Sequence, residues 1–284
     1  MKKYSVILLS GLTFFSYMHT HATDKSLLND SEKRDFENVS LERVRATYKE
    51  NHQNQTVAFV LQKEQQYIGT YRKKATMWEI AQLMETFIDA SDPDTTLPQI
   101  VHALQVAEAM KKDKLSKEWI VAGFIHDFGK MLFSFGEPQW AVVGDTFPVG
   151  CAFSEDIVYS DFFKRNPDFF DIRFNSHYGI YKPNCGLKNV HMSWGHDEYL
   201  YHIVKDFLPE EVAYAIRYHS FYPHHEKESY KHLLNDYDKK MLKSVKLLNK
   251  YDLYTKQEKQ LNIKALLPYY KKLLEEFFPE PLNW

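Results

Sequence analysis

Asp252 occupies a position that the surrounding pattern reserves for an apolar side chain. Met241, Val245, Leu248 and Asp252 succeed one another at helical spacing, so a carboxylate continues one apolar stripe. His219 extends the stripe of Val212, Ala215 and Ile216 in the same way, and His126-Asp127 interrupts the most apolar run of the chain. His102 lies at the edge of the arc formed by Ile100, Ala103, Leu104, Ala107 and Met110, and His196 sits within Trp194-Gly195-His196-Asp197-Glu198. Burying an ionisable group is costly unless it is paired or bound to a metal. Four histidines and two aspartates in such positions suggest a metal centre. Imidazole and carboxylate without thiolate suit iron, manganese or zinc rather than copper(I) or an iron–sulfur cluster. Adjacent helical residues point about 100° apart, so His126 and Asp127 could both reach one metal pair only if it lies between their directions, with Asp127 bridging. Each residue alone also has a plain reading as a hydrogen-bonded core group, with Asp127 pairing to Lys130 and Asp252 to Lys250 or Lys256. His177, His191, His202, His224, His225 and His232 read as surface or loop residues.

The elements that must position these groups are helices. Helical periodicity runs through Thr76–Ala90 and is broken by Asp89-Ala90-Ser91-Asp92-Pro93-Asp94. It resumes near Pro98 behind a Thr96/Gln99 capping box. Trp119–Phe135 is apolar almost all round and predicts a continuous buried central helix. Gly136–Leu187 is irregular, and a long loop inside a compact domain is often functional. Helical signals return at Asp197–Val204, Pro209–His219, Asp236–Tyr254 and Ile263–Phe278. No alternation of period two is long enough for a sheet, and no repeat or linker divides the chain. The expectation is one all-α domain, a helical bundle with the metal centre between its helices.

Composition narrows the function classes. The chain has 284 residues, 44% hydrophobic and 26% charged, with 36 Lys and Arg against 38 Asp and Glu. That balance lacks the basic footprint of a nucleic-acid binder, and Cys151 and Cys185 are too few for a disulfide scaffold. Met1–Ala22 has a basic start, a broken apolar middle and small residues at Thr20 and Ala22, the layout of a signal peptide cut after Ala22 rather than of a membrane span. Residues 23–46 then read as an N-terminal segment or lid, and residues 47–284 as the catalytic domain.

The order His, His-Asp, Asp resembles the metal-binding HD superfamily of helical phosphohydrolases, and the intervening sequence is more specific. The segment Asp89 to His102, His126-Asp-Phe-Gly-Lys130, and Gly136-Glu-Pro-Gln-Trp-Ala-Val-Val-Gly-Asp-Thr-Phe-Pro-Val-Gly-Cys151 resemble myo-inositol oxygenases. So do Met192-Ser-Trp-Gly-His-Asp-Glu-Tyr199, Arg217-Tyr-His-Ser-Phe-Tyr-Pro223 and Lys250-Tyr-Asp-Leu-Tyr-Thr-Lys256. The resemblance spans Thr47 to Trp284. It implies an oxygenase that converts myo-inositol and dioxygen to D-glucuronate and water at a mixed-valent pair of iron ions, an activity of inositol catabolism. Carried over by position, His102, His126, Asp127 and Asp252 hold one iron; Asp127 bridges to a second that His196 and His219 complete. Asp89, Ser91, Gly144, Asp145 and Ser220 bind substrate hydroxyls. Lys130 stands over the bound oxygen atoms to favour an alkoxide or shuttle its proton, so Lys130 and Asp127 are the catalytic pair. The implied protein is monomeric and cytoplasmic, whereas the signal-like start points to export. The family's N-terminal Phe-Arg-Asn segment has its nearest counterpart in Phe36-Glu37-Asn38, which lacks the arginine that closes the site; Arg34, Arg43 and Arg45 are the candidates to replace it. The competing readings are a phosphohydrolase on the same scaffold, which needs basic residues for phosphate, and a non-catalytic binding protein, which has no reason to keep buried carboxylates.

Overall fold

Ten α-helices, six short 3₁₀ helices and one pair of very short strands lie among the described residues of the computed structural model, which are 42–93, 97–254 and 261–284. The signal-like segment, Phe36-Glu37-Asn38, Arg34, Thr96 and Lys256 lie outside them. The first two helices, α1 (Glu42–Asn54) and α2 (Val57–Tyr67), precede the periodic region singled out above. Helix α3 (Met77–Leu83) starts at a capping box in which Thr76 and Glu79 satisfy each other's backbone N–H groups. Helices α4 (Gln99–Lys112) and α5 (Lys117–Ile125) pack against each other. After the irregular segment come α6 (His196–Val204), α7 (Glu210–Tyr218), the single turn α8 (Tyr222–His225), α9 (Asp236–Tyr254) and α10 (Ile263–Phe277). Helix α7 packs on both α6 and α9, and α5 touches α7 and α9. The fold is all-α, with the metal-ligating candidates between these helices. No described helix is long and apolar enough to cross a membrane.

Two features differ from the sequence expectation. The central helix is not continuous: α5 stops at Ile125, Asp127 adopts φ −96° and ψ 1°, and a 3₁₀ helix runs from Phe128 to Phe135. The switch falls on His126-Asp127 and turns both side chains toward one centre, which a straight helix would set about 100° apart. The second is a two-residue antiparallel pairing of β1 (Lys74–Ala75) with β2 (Leu282–Asn283), too short to leave any alternation in the sequence. It secures the C-terminus, where Trp284 Nε1 donates to the Ala75 carbonyl.

The segment from 136 to 195 holds only short 3₁₀ helices among its turns and is tied to the bundle largely by side chains. His52 stacks on Phe163 at 4.2 Å, Phe163 stacks on Phe153 at 4.1 Å, and Phe147 meets His52 and Phe163 edge-on. Asn166 donates to the carbonyls of His52 and Gln55, and Gln55 exchanges hydrogen bonds with the backbone of Trp194. These bonds satisfy buried polar groups that a helix or sheet would otherwise pair.

Burial holds the His52 imidazole down to about 4, against the pull of its bond to the Val158 carbonyl and of Asp145 and Asp161. The unfolded chain takes up a proton at this residue near 6.5, and the folded chain does not until about 4. Stability is therefore full above pH 6.5 and falls as pH drops through the window from 6.5 to 4, by about 3 kcal/mol for this residue. Urea midpoints of wild type and His52→Phe at pH 7 and pH 5 test this. The phenylalanine variant loses that part of the pH slope; an unchanged slope would place the acid sensitivity elsewhere.

Candidate metal centre and polyol pocket

Three histidines are aimed at the centre by a bond from Nδ1 to a backbone carbonyl, two of them through a local bond at a helix end. His126 and His219 each follow the last residue of a helix, and their Nδ1 atoms donate to the carbonyls three residues back, Gly123 at 2.9 Å and Ile216 at 2.8 Å. Such carbonyls lack partners at a helix end. His196, the first residue of α6, donates from Nδ1 to the Val142 carbonyl at 2.8 Å. Each bond fixes the tautomer and leaves Nε2 as a lone pair turned inward.

Those lone pairs face acceptors. His126 Nε2 lies 3.5 Å from both Asp127 Oδ2 and Asp252 Oδ1 and makes no hydrogen bond. His196 Nε2 lies 3.3 Å from His219 Nε2, 3.2 Å from Asp127 Oδ1 and 2.7 Å from Asp197 Oδ1. His102 Nε2 meets Asp252 Oδ1 at 2.8 Å, while its Nδ1 has no partner. All of these residues are buried. Lone pairs and carboxylates converging in a buried space require protons or cations between them. Three overlapping sets lie within metal-binding reach: His102, His126 and Asp127; Asp127, His196 and His219; and His126, His219 and Asp252. Asp127 belongs to the first two and His219 to the last two, so the donors form one continuous cluster. Nitrogen and oxygen donors in this number fit a pair of borderline metal ions such as iron.

Burial pushes the Asp127 carboxyl up, but the Lys130 and His126 charges and the hydrogen bonds from His196 and His219 hold it well below the usual range. Asp252, equally buried, is held down by the neighbouring imidazoles of His102 and His126. Burial lowers His196, but Asp197 and Asp127 outweigh it and raise it to about 10. A metal ion must displace that proton, so metal uptake is coupled to proton release.

Next to the cluster is a pocket whose lining is almost wholly polar. Asp89, Ser91, Gly144, Asp145 and Ser220 line it together with Lys130, Asp127, His196 and His219. The sequence-named substrate residues thus converge on one space. Lys130 Nζ reaches Asp89 Oδ2 at 2.7 Å, Asp127 Oδ2 at 2.8 Å and Gln99 Oε1 at 3.0 Å. Burial works against its charge, but the two carboxylates raise its pKa above the ordinary lysine value. Asp89 Oδ1 accepts from the Ser91 backbone and hydroxyl, which fixes the turn that follows α3. Gly144 has φ +102°, a conformation that disfavours any side chain, and sits beside Tyr48 and Ser91. A Cβ on Gly129 would lie 2.1 Å from the His196 carbonyl oxygen, so only glycine lets the 3₁₀ helix pack on the start of α6.

Several participants have no periodic signature in the sequence. Tyr48 of α1 donates to Asp145 at 2.6 Å, Gln99 accepts from Lys130, and Tyr222 donates to Asp252 Oδ2 at 3.1 Å. Asp197 accepts from the backbone and hydroxyl of Ser220 and thereby joins α6 to the end of α7. Arg43 donates to the Asp92 carbonyl at the pocket edge, whereas Arg45 packs over the rings of Tyr159 and Phe162. One reading is corrected: His224 and His225 are buried, not solvated. Helix α8 packs on α9, His225 Nε2 donates to the His219 carbonyl, and burial pulls His225 down to about 4.

Because Tyr222 anchors the outer oxygen of Asp252, Tyr222→Phe is expected to weaken metal binding by roughly 10- to 100-fold. Competition against a chromophoric chelator measures it; unchanged affinity would reduce the bond to a packing detail.

The family model described as "Myo-inositol oxygenase" matches residues 41–284. "Inositol oxygenase 1" of Arabidopsis thaliana is 49% identical over 260 residues, covering 88% of this chain and 84% of the relative. "Inositol oxygenase" of Dictyostelium discoideum is 48% identical over 263 residues, covering 89% and 90%. "Inositol oxygenase" of Homo sapiens is 45% identical over 262 residues, covering 89% and 92%. With a buried His/Asp cluster beside a polar pocket, and these matches along nearly its whole described length, the chain belongs to the myo-inositol oxygenase family.

Proposed function

We propose that this protein is an inositol oxygenase that cleaves the ring of myo-inositol with dioxygen, giving D-glucuronate and water, and that its resident cofactor is a pair of iron ions. The observation that carries the reading is the contact between two unlike sites. A six-residue His/Asp cluster shares Asp127 and, through Lys130, the wall of a pocket made of hydroxyl-binding groups. When bound, the iron pair supplies the Lewis acidity that ionises a poorly acidic hydroxyl and the redox capacity for a four-electron oxidation. His102, His126, Asp127 and Asp252 would hold one ion, and Asp127, His196 and His219 the other.

The protein's own groups account for recognition and charge. A polyol offers a donor and an acceptor at every hydroxyl, and Asp89, Asp145, Ser91 and Ser220 present both kinds in a buried space. A pocket group left unpaired there would cost affinity, which selects for a ligand hydroxylated all round. Lys130 is flanked by two carboxylates that retain its proton, so its role is to stabilise alkoxide charge rather than to act as a base. The same lining disfavours a phosphohydrolase. Among the described lining residues Lys130 is the only lysine or arginine, and Asp89, Asp92 and Asp145 would repel a phosphate dianion.

Ring cleavage adds one oxygen atom to the organic product and sends the other to water. With isotopically labelled dioxygen, the glucuronate formed should carry one labelled atom, in its carboxylate. Unlabelled glucuronate, or turnover of phosphate esters without oxygen uptake, would reject the reading.

A further inference from the structure

The turn that carries Asp89 and Ser91 belongs to no regular element, because α3 ends at Leu83 and α4 starts only at Gln99. Such a turn at a pocket wall needs partners for its backbone groups if its side chains are to hold one place. Gln139, half-buried at the start of a short 3₁₀ helix (Gln139–Ala141), supplies them. Its Oε1 accepts from the Ala90 N–H at 2.7 Å, and its Nε2 donates to the Ile88 carbonyl at 3.1 Å. One partner is a donor and the other an acceptor, so together they fix the orientation of the amide. The two bonds fall on either side of Asp89 along the chain and leave its carboxylate to Lys130 and Ser91. The stretch that begins at Gln139 also builds the facing wall. The Trp140 carbonyl accepts from Asn51 Nδ2 of α1 at 2.8 Å, the Val142 carbonyl accepts from the backbone N–H and Nδ1 of His196, and the Thr146 N–H donates to the Ser220 carbonyl at 2.9 Å. Gly144 and Asp145, which line the pocket, lie between these anchors.

We propose that Gln139 is a positioning residue for the substrate. It ties the wall of Asp89 and Ser91 to the wall of Gly144 and Asp145, and so sets the spacing of the hydroxyl-binding groups without lining the pocket itself. The inference rests on the polyol reading of that pocket and deepens it. A ring presents its hydroxyls at fixed separations, so affinity depends on partners already held at matching ones. A loose turn would be ordered only on binding, which lowers affinity. The chemistry is affected less, because Lys130 keeps Asp127 at 2.8 Å and Gln99 at 3.0 Å whether or not Asp89 holds its place.

Gln139→Met keeps the length of the side chain and removes both bonds. Equilibrium dialysis of the iron-loaded full chain against labelled myo-inositol, without dioxygen, should show affinity lowered by on the order of tenfold. In turnover the Michaelis constant should rise by a similar factor while kcat stays within about twofold of wild type. Metal content should not change, because the substitution leaves the Val142 carbonyl and its bonds to His196 in place. In an Asp89→Ala background the same substitution should weaken binding by only about twofold or less, since the group it positions is gone. If the methionine perturbs folding, Gln139→Asn, whose amide is one methylene short of both partners, gives the same comparison. Equal affinity of wild type and a folded variant overturns the proposal. A full additive loss in the Asp89→Ala background overturns it too, as does a fall in kcat with the Michaelis constant unchanged. Wild type that binds no myo-inositol overturns the reading of the pocket and this inference with it, whereas binding that the variants share overturns the inference alone.

Discussion

Asp127→Ala is expected to strip metal from both halves of the cluster at once. Its two oxygens serve different neighbours: Oδ1 lies 3.2 Å from His196 Nε2 and 3.6 Å from His219 Nε2, and Oδ2 lies 3.5 Å from His126 Nε2 and 2.8 Å from Lys130 Nζ. Removing the carboxylate takes a donor from each half and leaves the inward imidazoles with less negative charge to share a cation. Lys130 keeps Asp89 as a partner, so the fold has a remaining counter-charge at that point. Metal analysis after anaerobic loading and dialysis should find wild type holding about two ions per chain and the variant close to background. Asp127→Asn, which keeps the shape, should lose metal as well, because the missing element is charge. Retention of both ions in either variant would remove Asp127 from its bridging position.

Lys130→Met should do the opposite. The lysine donates to Asp127 and Asp89 but offers the metal no lone pair while charged, so the metal content should stay near the wild-type value. Turnover should fall by on the order of a hundred- to a thousandfold, the range for removing one preorganised group that stabilises developing negative charge. The loss should appear mainly in kcat. The Michaelis constant for myo-inositol should change less, because Asp89, Ser91, Asp145 and Ser220 remain in the pocket. Measured kcat equal to wild type, with metal retained, would exclude Lys130 from the chemistry.

Asp252, His219 and the His126-Asp127 pair stand out in the sequence because each breaks an apolar pattern, whereas His102 lies at the edge of its arc and His196 in no stripe. Asp252 continues the buried stripe of Met241, Val245 and Leu248, and His219 that of Val212, Ala215 and Ile216. A charge in such a stripe conflicts with burial unless something pairs with it, and periodicity alone locates it. Geometry between neighbours was not visible. The run Trp119–Phe135 is apolar on both sides of His126-Asp127, so its hydrophobicity marks two polar residues there but not the change from α5 to a 3₁₀ helix. Yet that change allows both side chains to serve one centre. Tyr222, Gln99 and Asp197 were equally silent, since each acts through a hydrogen bond to a residue distant in sequence or at an element's end. His224-His225 misled because polar neighbours in sequence suggested solvent, whereas α9 covers them in the fold. The irregular segment is held by rings stacked across long separations, His52 with Phe163 among them, and such contacts leave no local period.

Loaded with iron, this His/Asp cluster should couple myo-inositol oxidation to dioxygen. The most direct measurement is oxygen consumption by the protein loaded anaerobically with ferrous iron, begun by adding myo-inositol and followed together with glucuronate. Uptake should match glucuronate mole for mole with no added reductant. Iron bound at about two ions per chain, with neither oxygen uptake nor glucuronate on addition of myo-inositol, would overturn the assignment of this cluster as an inositol-oxidising site.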